Sequence, residues 1–247
     1  MKQAALAACV GLAVLAGLGT PVPARAHEVQ PMIATVTPSG TGSNYRLMIR
    51  NTNAMPITLE ITPYRVTVDD AGSVTRTPED ADVILFPPQT VIAPSKEQAI
   101  QVRYVGDPAV TEGRIYAVVV GQLPVDFSTV TNADASTTQV KIGFDFVSHM
   151  IVQPAGARPV LSIGAPRRSS ENDLVFDIGN TGNGVAMLRT ADWVVSGSDG
   201  SRILVPSDDI AFGTFGAILP GGKRTVTIPA ALLTGLGGEP TVTVELK

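Results

Sequence analysis

Cysteine is nearly missing from this chain of 247 residues: Cys9 is the only one, so no disulfide can form within it. Histidine is almost as scarce, with His27 and His149 the only two imidazoles. A zinc site made from several Cys and His ligands is excluded by that count. A Ser-His-Asp triad would have to recruit one of the two histidines, and no serine stands in a Gly-x-Ser-x-Gly elbow. The inventory argues against an enzyme. Charged residues make up only 16%, which argues against a disordered chain. The 18 basic against 22 acidic side chains leave no positive surplus to hold a nucleic-acid backbone. No segment sustains a helical period either, and Pro229 to Leu236 has room for a turn or two at most.

There is also no apolar run long enough to span a bilayer. Ala4 to Gly19 carries no charge but falls short of the ~20 residues a spanning helix needs. With Met1-Lys2 before it and Ala24-Arg25-Ala26 after it, the run has the form of a cleavable export signal. Residues 1–26 are expected to be removed, leaving His27 first and taking the only cysteine away. Leu6-Ala7-Ala8-Cys9 has the look of a lipoprotein processing box but comes too early, before most of the apolar run. The mature chain is expected in the periplasm of a bacterium, with no membrane span.

What is present is short-period alternation. Tyr45 to Arg50, Ile57 to Val68, Ala99 to Tyr104 and Ile115 to Val120 read as strands, parted by turn signals at Asp70-Ala71-Gly72, Pro87-Pro88 and Gly106-Asp107-Pro108. The texture resumes in Leu174 to Ile178, Asp192 to Val195, Arg202 to Val205, Thr225 to Ile228 and Thr241 to Leu246. The fold class expected is all-β, with two immunoglobulin-like sandwiches. Gln153 to Pro159 makes a natural break, giving a first domain of 27–154 and a second of 155–247. Gly179 to Gly184 is glycine-rich but lacks the lysine of a phosphate loop and reads as a turn. Asp69-Asp70, Asp208-Asp209 and Arg167-Arg168 read as solvated turn residues.

One strand stands apart. From Gln139 to Met150, Val140, Ile142, Phe144 and Phe146 fall on one face, opposite Gln139, Lys141, Gly143 and Asp145. Such a face either packs in the core or is lent to another protein, and alternation alone does not choose.

A set of motifs in order resembles the PapD-like periplasmic chaperones of bacterial pilus assembly, nearly end to end in the mature chain. They are Ile49-Arg50-Asn51-Thr52 leading to Pro56-Ile57, Phe86-Pro87-Pro88 with Ile92-Ala93-Pro94, Gln101 to Tyr104, Tyr116 with Gln122 to Val125, and Ile151 to Pro154. Asn180 to Asn183 and Leu219 to Arg224 continue the pattern in the second domain. The resemblance implies two sandwiches at an angle. It also implies a last first-domain strand that completes pilus subunits lacking their own final strand, with an outer-membrane usher as a further partner. The donor positions carried over are Thr138, Val140, Ile142 and Phe144, with Phe146 continuing the row. No cofactor and no small-molecule substrate are implied.

The chain departs from the family where the subunit carboxylate is held. The usual lysine position is His149, the usual arginine falls near Thr35, and an arginine that follows the family's tyrosine is Ala117. Met32 to Val36 contains no arginine at all. Two other readings remain open at this point. One is a copper-binding module using His27 and His149. The other is a structural component of a pilus or surface layer.

Overall fold

The computed structural model describes residues 27–123 and 144–247. The first half builds ten strands: β1 (Glu28–Gln30), β2 (Ile33–Val36), β3 (Asn44–Arg50), β4 (Ile57–Val68), β5 (Val74–Pro78), β6 (Val83–Phe86), β7 (Gln89–Ile92), β8 (Glu97–Tyr104), β9 (Arg114–Leu123) and β10 (Asp145–Val152). One sheet runs β1-β3-β8-β6; the other runs β2-β10-β9-β4-β5, with β7 also on β4. The two sheets close over a core of Leu47, Ile49, Ile100 and Val102 from one side and Leu59, Ile61, Val118, Val120 and Met150 from the other. The expected strand at Ile57–Val68 appears with the same bounds, because alternation is clean where one face meets that core.

The second half, from Leu161 to Glu245, forms a separate core around Phe176, Ile178, Trp193, Val195, Phe212, Val226 and Ile228. Residues 174–179 pair with 223–228, 193–196 with 202–205, and 192–197 with 240–245. The Trp193 indole donates to the Leu188 carbonyl at 3.0 Å, so the largest side chain of this core is also satisfied. Arg167-Arg168, expected as a turn, is instead a two-residue strand added to 174–175. The only described helices are short 3-10 turns, including Ala230–Leu233 within the segment given room for a turn or two.

Two of the resembling motifs prove to be structural. Asn51 is fully buried, and its amide donates to the Met55 and Ile92 carbonyls, both at 2.9 Å. Asn180 repeats this in the second half, donating to Gly184 at 2.7 Å and Ile218 at 3.1 Å. Each side-chain amide ties a strand end to two loops whose carbonyls would otherwise be buried without a donor. The glycine-rich 179–184 segment is a strand end and turn. A Cβ on Gly182 or Gly184 would run into the backbone of 158–160, so glycine is needed there for close packing.

A third apolar cluster joins the halves: Val66, Ile115, Ala117 and Ile151 from the outer face of the β2-β10-β9-β4-β5 sheet meet Val185 and Ala217 from the second half. That sheet is covered on both faces at this end. Double cover explains the unbroken apolar run from Ile115 to Val120, where strict alternation fails.

Candidate functional site

β10 holds the site because its two ends have different surroundings. At the C-terminal end it lies between β9 and β2, with β2 pairing over His149–Val152 alone. The His149 N–H donates to Met32 O and the Gln153 N–H to Val36 O, both at 2.8 Å, whereas Gln122 N–H on β9 donates to Phe144 O at 3.3 Å. Backbone direction alternates along an antiparallel pair, so even-numbered residues bond β9 and odd-numbered ones turn toward the β2 side. Asp145 and Val147 are odd-numbered and lie beyond the end of β2. Among the described residues no strand pairs with that side of them, which leaves an open edge.

The side chains change along the same path. Met150 and Val152 are fully buried in the first core, and Ser148 beside them donates to Pro31 O at 2.7 Å and meets the Tyr45 hydroxyl at 3.3 Å. Phe146 is half-buried against this core. Phe144, next in the row, is 46% exposed. The apolar face singled out in the sequence is thus continuous with the core face and leaves the sandwich between Phe146 and Phe144. Thr138, Val140 and Ile142 lie outside the described residues.

The opposite face of β10 carries His149. Its ring packs on Phe215 of the second half with centroids 4.8 Å apart, and its Nε2 is buried without a partner. Burial first, and the positive charge of Arg76 second, push its pKa down to about 4. His149 is therefore a neutral imidazole at pH 7. Thr35 is exposed on β2 and pairs with Ile151, placing it on this same outer face one row from His149. The positive charge acting on His149 comes from Arg76 on β5, a strand the sequence reading did not identify. Its cross-strand partner Val66 lies in the same row as Ile115 and Ile151. No signal in the sequence links residue 76 to residue 149; only the order of strands does.

The copper alternative fails on geometry. His27 is 2% exposed and its ring lies 4.4 Å from that of Phe146, on the core face of β10. His149 projects from the other face, because successive side chains of a strand point to opposite sides. The sheet therefore separates the two imidazoles. His27 also has both ring nitrogens buried without a partner, and burial lowers its pKa.

No protein-family model matches the chain, nor does any curated protein sequence. Solved structures do. The Class 5 fimbriae chaperone CfaA aligns with a TM-score of 0.55 at 10% identity, over 90% of this chain and 100% of its own. The E. coli chaperone DraB gives 0.55 at 14% identity, over 90% and 97%. A Salmonella enterica complex of SafA pilin with the SafB chaperone gives 0.52 at 14% identity, over 90% and 97%. At such identities the likeness establishes the fold, the paired β-sandwiches of the fimbrial chaperones.

Proposed function

We propose that this protein is a periplasmic chaperone that caps pilus or fimbrial subunits by donor-strand complementation before they assemble. The observation that carries this reading is the open edge of β10 beyond β2, where the backbone of Asp145 and Val147 turns outward beside the exposed Phe144 ring. An incoming strand can hydrogen-bond this edge while its groove takes alternate apolar side chains from the same row. Thr138, Val140 and Ile142 continue that row in sequence and are assigned to the groove with Phe144; Phe146 sits at the junction with the core. SafB, which shares the fold, is found with a pilin, and that likeness supports the class of partner. The domain boundary in this reading falls between Pro154 and Ala155. Residues 1–26 serve as the export signal, and an outer-membrane usher is the expected recipient of the complex.

The subunit's affinity rests mainly on this apolar strand. A neutral His149 covered by Phe215 offers no charge to a subunit carboxylate at pH 7, and Thr35 offers a hydroxyl only. The proposed role involves no bond-making chemistry.

The test is co-expression with the pilin-like product of a neighbouring gene, comparing parent, Ile142→Asp and Phe144→Asp. A carboxylate cannot enter a dry groove unpaired, so both variants are expected to lose complex. Phe144→Asp should change the stability of the free protein by no more than about 0.5 kcal/mol, as for an exposed side chain. Undiminished complex with both variants would overturn the proposal.

A further inference from the structure

The loop formed by residues 212–217 is held by a single buried cation. Arg224 is 2% exposed, and its Nη1 donates to the carbonyls of Phe212 and Phe215, both at 2.6 Å, while Nη2 donates to Ala217 O at 3.1 Å. Its Nε is buried with no partner. A buried guanidinium is a poor way to gain stability alone, because its desolvation offsets much of what its bonds return. A planar fork that fixes three carbonyls is a good way to hold a loop in one shape.

That loop is where the second half touches the β4–β5 hairpin. Thr214 Oγ1 donates to Gly72 O at 2.7 Å, and Lys223, next to Arg224, pairs with Asp70 at 3.3 Å. Gly72 and Gly213 both have φ of +83° and lie against each other. A Cβ on Gly72 would come 2.8 Å from Arg224 Nη1 and 2.9 Å from Gly213 Cα, and one on Gly213 would come 2.8 Å from Gly72 Cα. A side chain at either position is strained in conformation and forces its neighbours to shift. One residue beyond Thr214, Phe215 lies on His149 of β10.

We propose that Arg224, acting through the 212–217 loop and the Gly72–Gly213 contact, locks the two sandwiches in one orientation and so positions Phe215 over the outer face of β10. Arg224 is then a positioning residue for the second half against β10. Its consequence for subunit capture rests on the function proposed above, but the lock itself is a property of the free protein.

The experiment measures both separately. Spin labels on Glu97→Cys and Glu171→Cys, both exposed and one in each half, report the distance between the sandwiches in the mature chain. The parent should give one narrow distance distribution. Gly72→Ala should broaden or shift it while the far-ultraviolet circular dichroism stays unchanged, and Arg224→Lys, which keeps the charge and loses the fork, should do the same. Subunit capture by Gly72→Ala should fall about tenfold, the equivalent of about 1.4 kcal/mol of binding. If Arg224→Lys fails to fold, Gly72→Ala alone decides. Distributions identical to the parent in Gly72→Ala overturn the lock. A changed distribution with full capture overturns the positioning role, and a changed distribution with no capture even by the parent leaves the lock standing and counts against the chaperone reading.

Discussion

The two ends of β10 share one alternating pattern and have opposite physical roles. From His149 to Val152 the strand is paired on both edges and covered on both faces, by the first core on one side and by the inter-domain cluster on the other. From Phe144 to Val147 it is paired on one edge, and its core-side row runs from half-buried Phe146 to exposed Phe144. The difference teaches that an apolar row can start in a core and run out of it along the same strand. In the proposed function, the buried end anchors the strand in the sandwich, which lowers the ordering entropy that pairing with another chain would cost.

The contrast breaks most sharply at Met150. Met150→Asp places a carboxylate in a fully buried site with no partner and should cost about 4 kcal/mol or more, leaving the first sandwich unfolded at 37 °C. Urea unfolding followed by tryptophan fluorescence would miss part of this, since Trp193 lies in the second half. Circular dichroism over the whole chain is the appropriate probe. A folded Met150→Asp protein would show that this end of the strand is not the anchor.

Ser148 sits at the boundary and should give an intermediate effect. Ser148→Ala removes the donor to Pro31 O and the contact with Tyr45, leaving a part-buried carbonyl and a part-buried hydroxyl short of a partner. The expected loss is about 1–2 kcal/mol in denaturant titration. Because Pro31 leads directly into β2, amide exchange should quicken in Ile33–Val36 more than in β3. Uniform quickening across both sheets would mean that Ser148 does not tie β2 to β10. Phe144→Asp, at the free end, completes the series with the smallest effect on stability.

Much of this architecture was legible in the sequence, and the failures have physical causes. Residues 57–61 of strand β4 and residues 202–205 follow the alternation, because there only one face is buried in a core. The edge strands β5, β6 and β7 escaped detection. All are short; β5 and β7 are largely exposed, and β6 is apolar at every position, so none shows an alternation that marks a strand. In β10 the alternation puts Phe144 and Phe146 in one row with Met150, as the structure does, but could not show where the row leaves the core, since Val140 and Met150 look alike in a periodicity. His27 and His149 seemed a possible pair because sequence carries no sign of which face each takes. His149 and Arg76 are 73 positions apart, and only the order β10-β9-β4-β5 relates them.

That last relation gives the smallest and most specific expectation. His149 has its folded-state pKa pushed down to about 4, against an ordinary 6.5, by burial first and by Arg76 second. The unfolded chain therefore binds a proton at this position more readily than the folded one. Acidification from pH 6.5 toward 4 should lower stability, while above 6.5 the contribution is complete and constant. His27, with its pKa lowered by burial, acts in the same direction. Arg76→Gln removes the second cause and leaves the first, so the His149 pKa should rise yet stay below 6.5, and less stability should be lost on acidification. Titrating both imidazoles by NMR isolates the effect, because burial accounts for His27 and its curve should not move. A His149 titration unchanged in Arg76→Gln would show that the β5 cation does not reach β10, and that burial under Phe215 alone keeps this face of the strand uncharged.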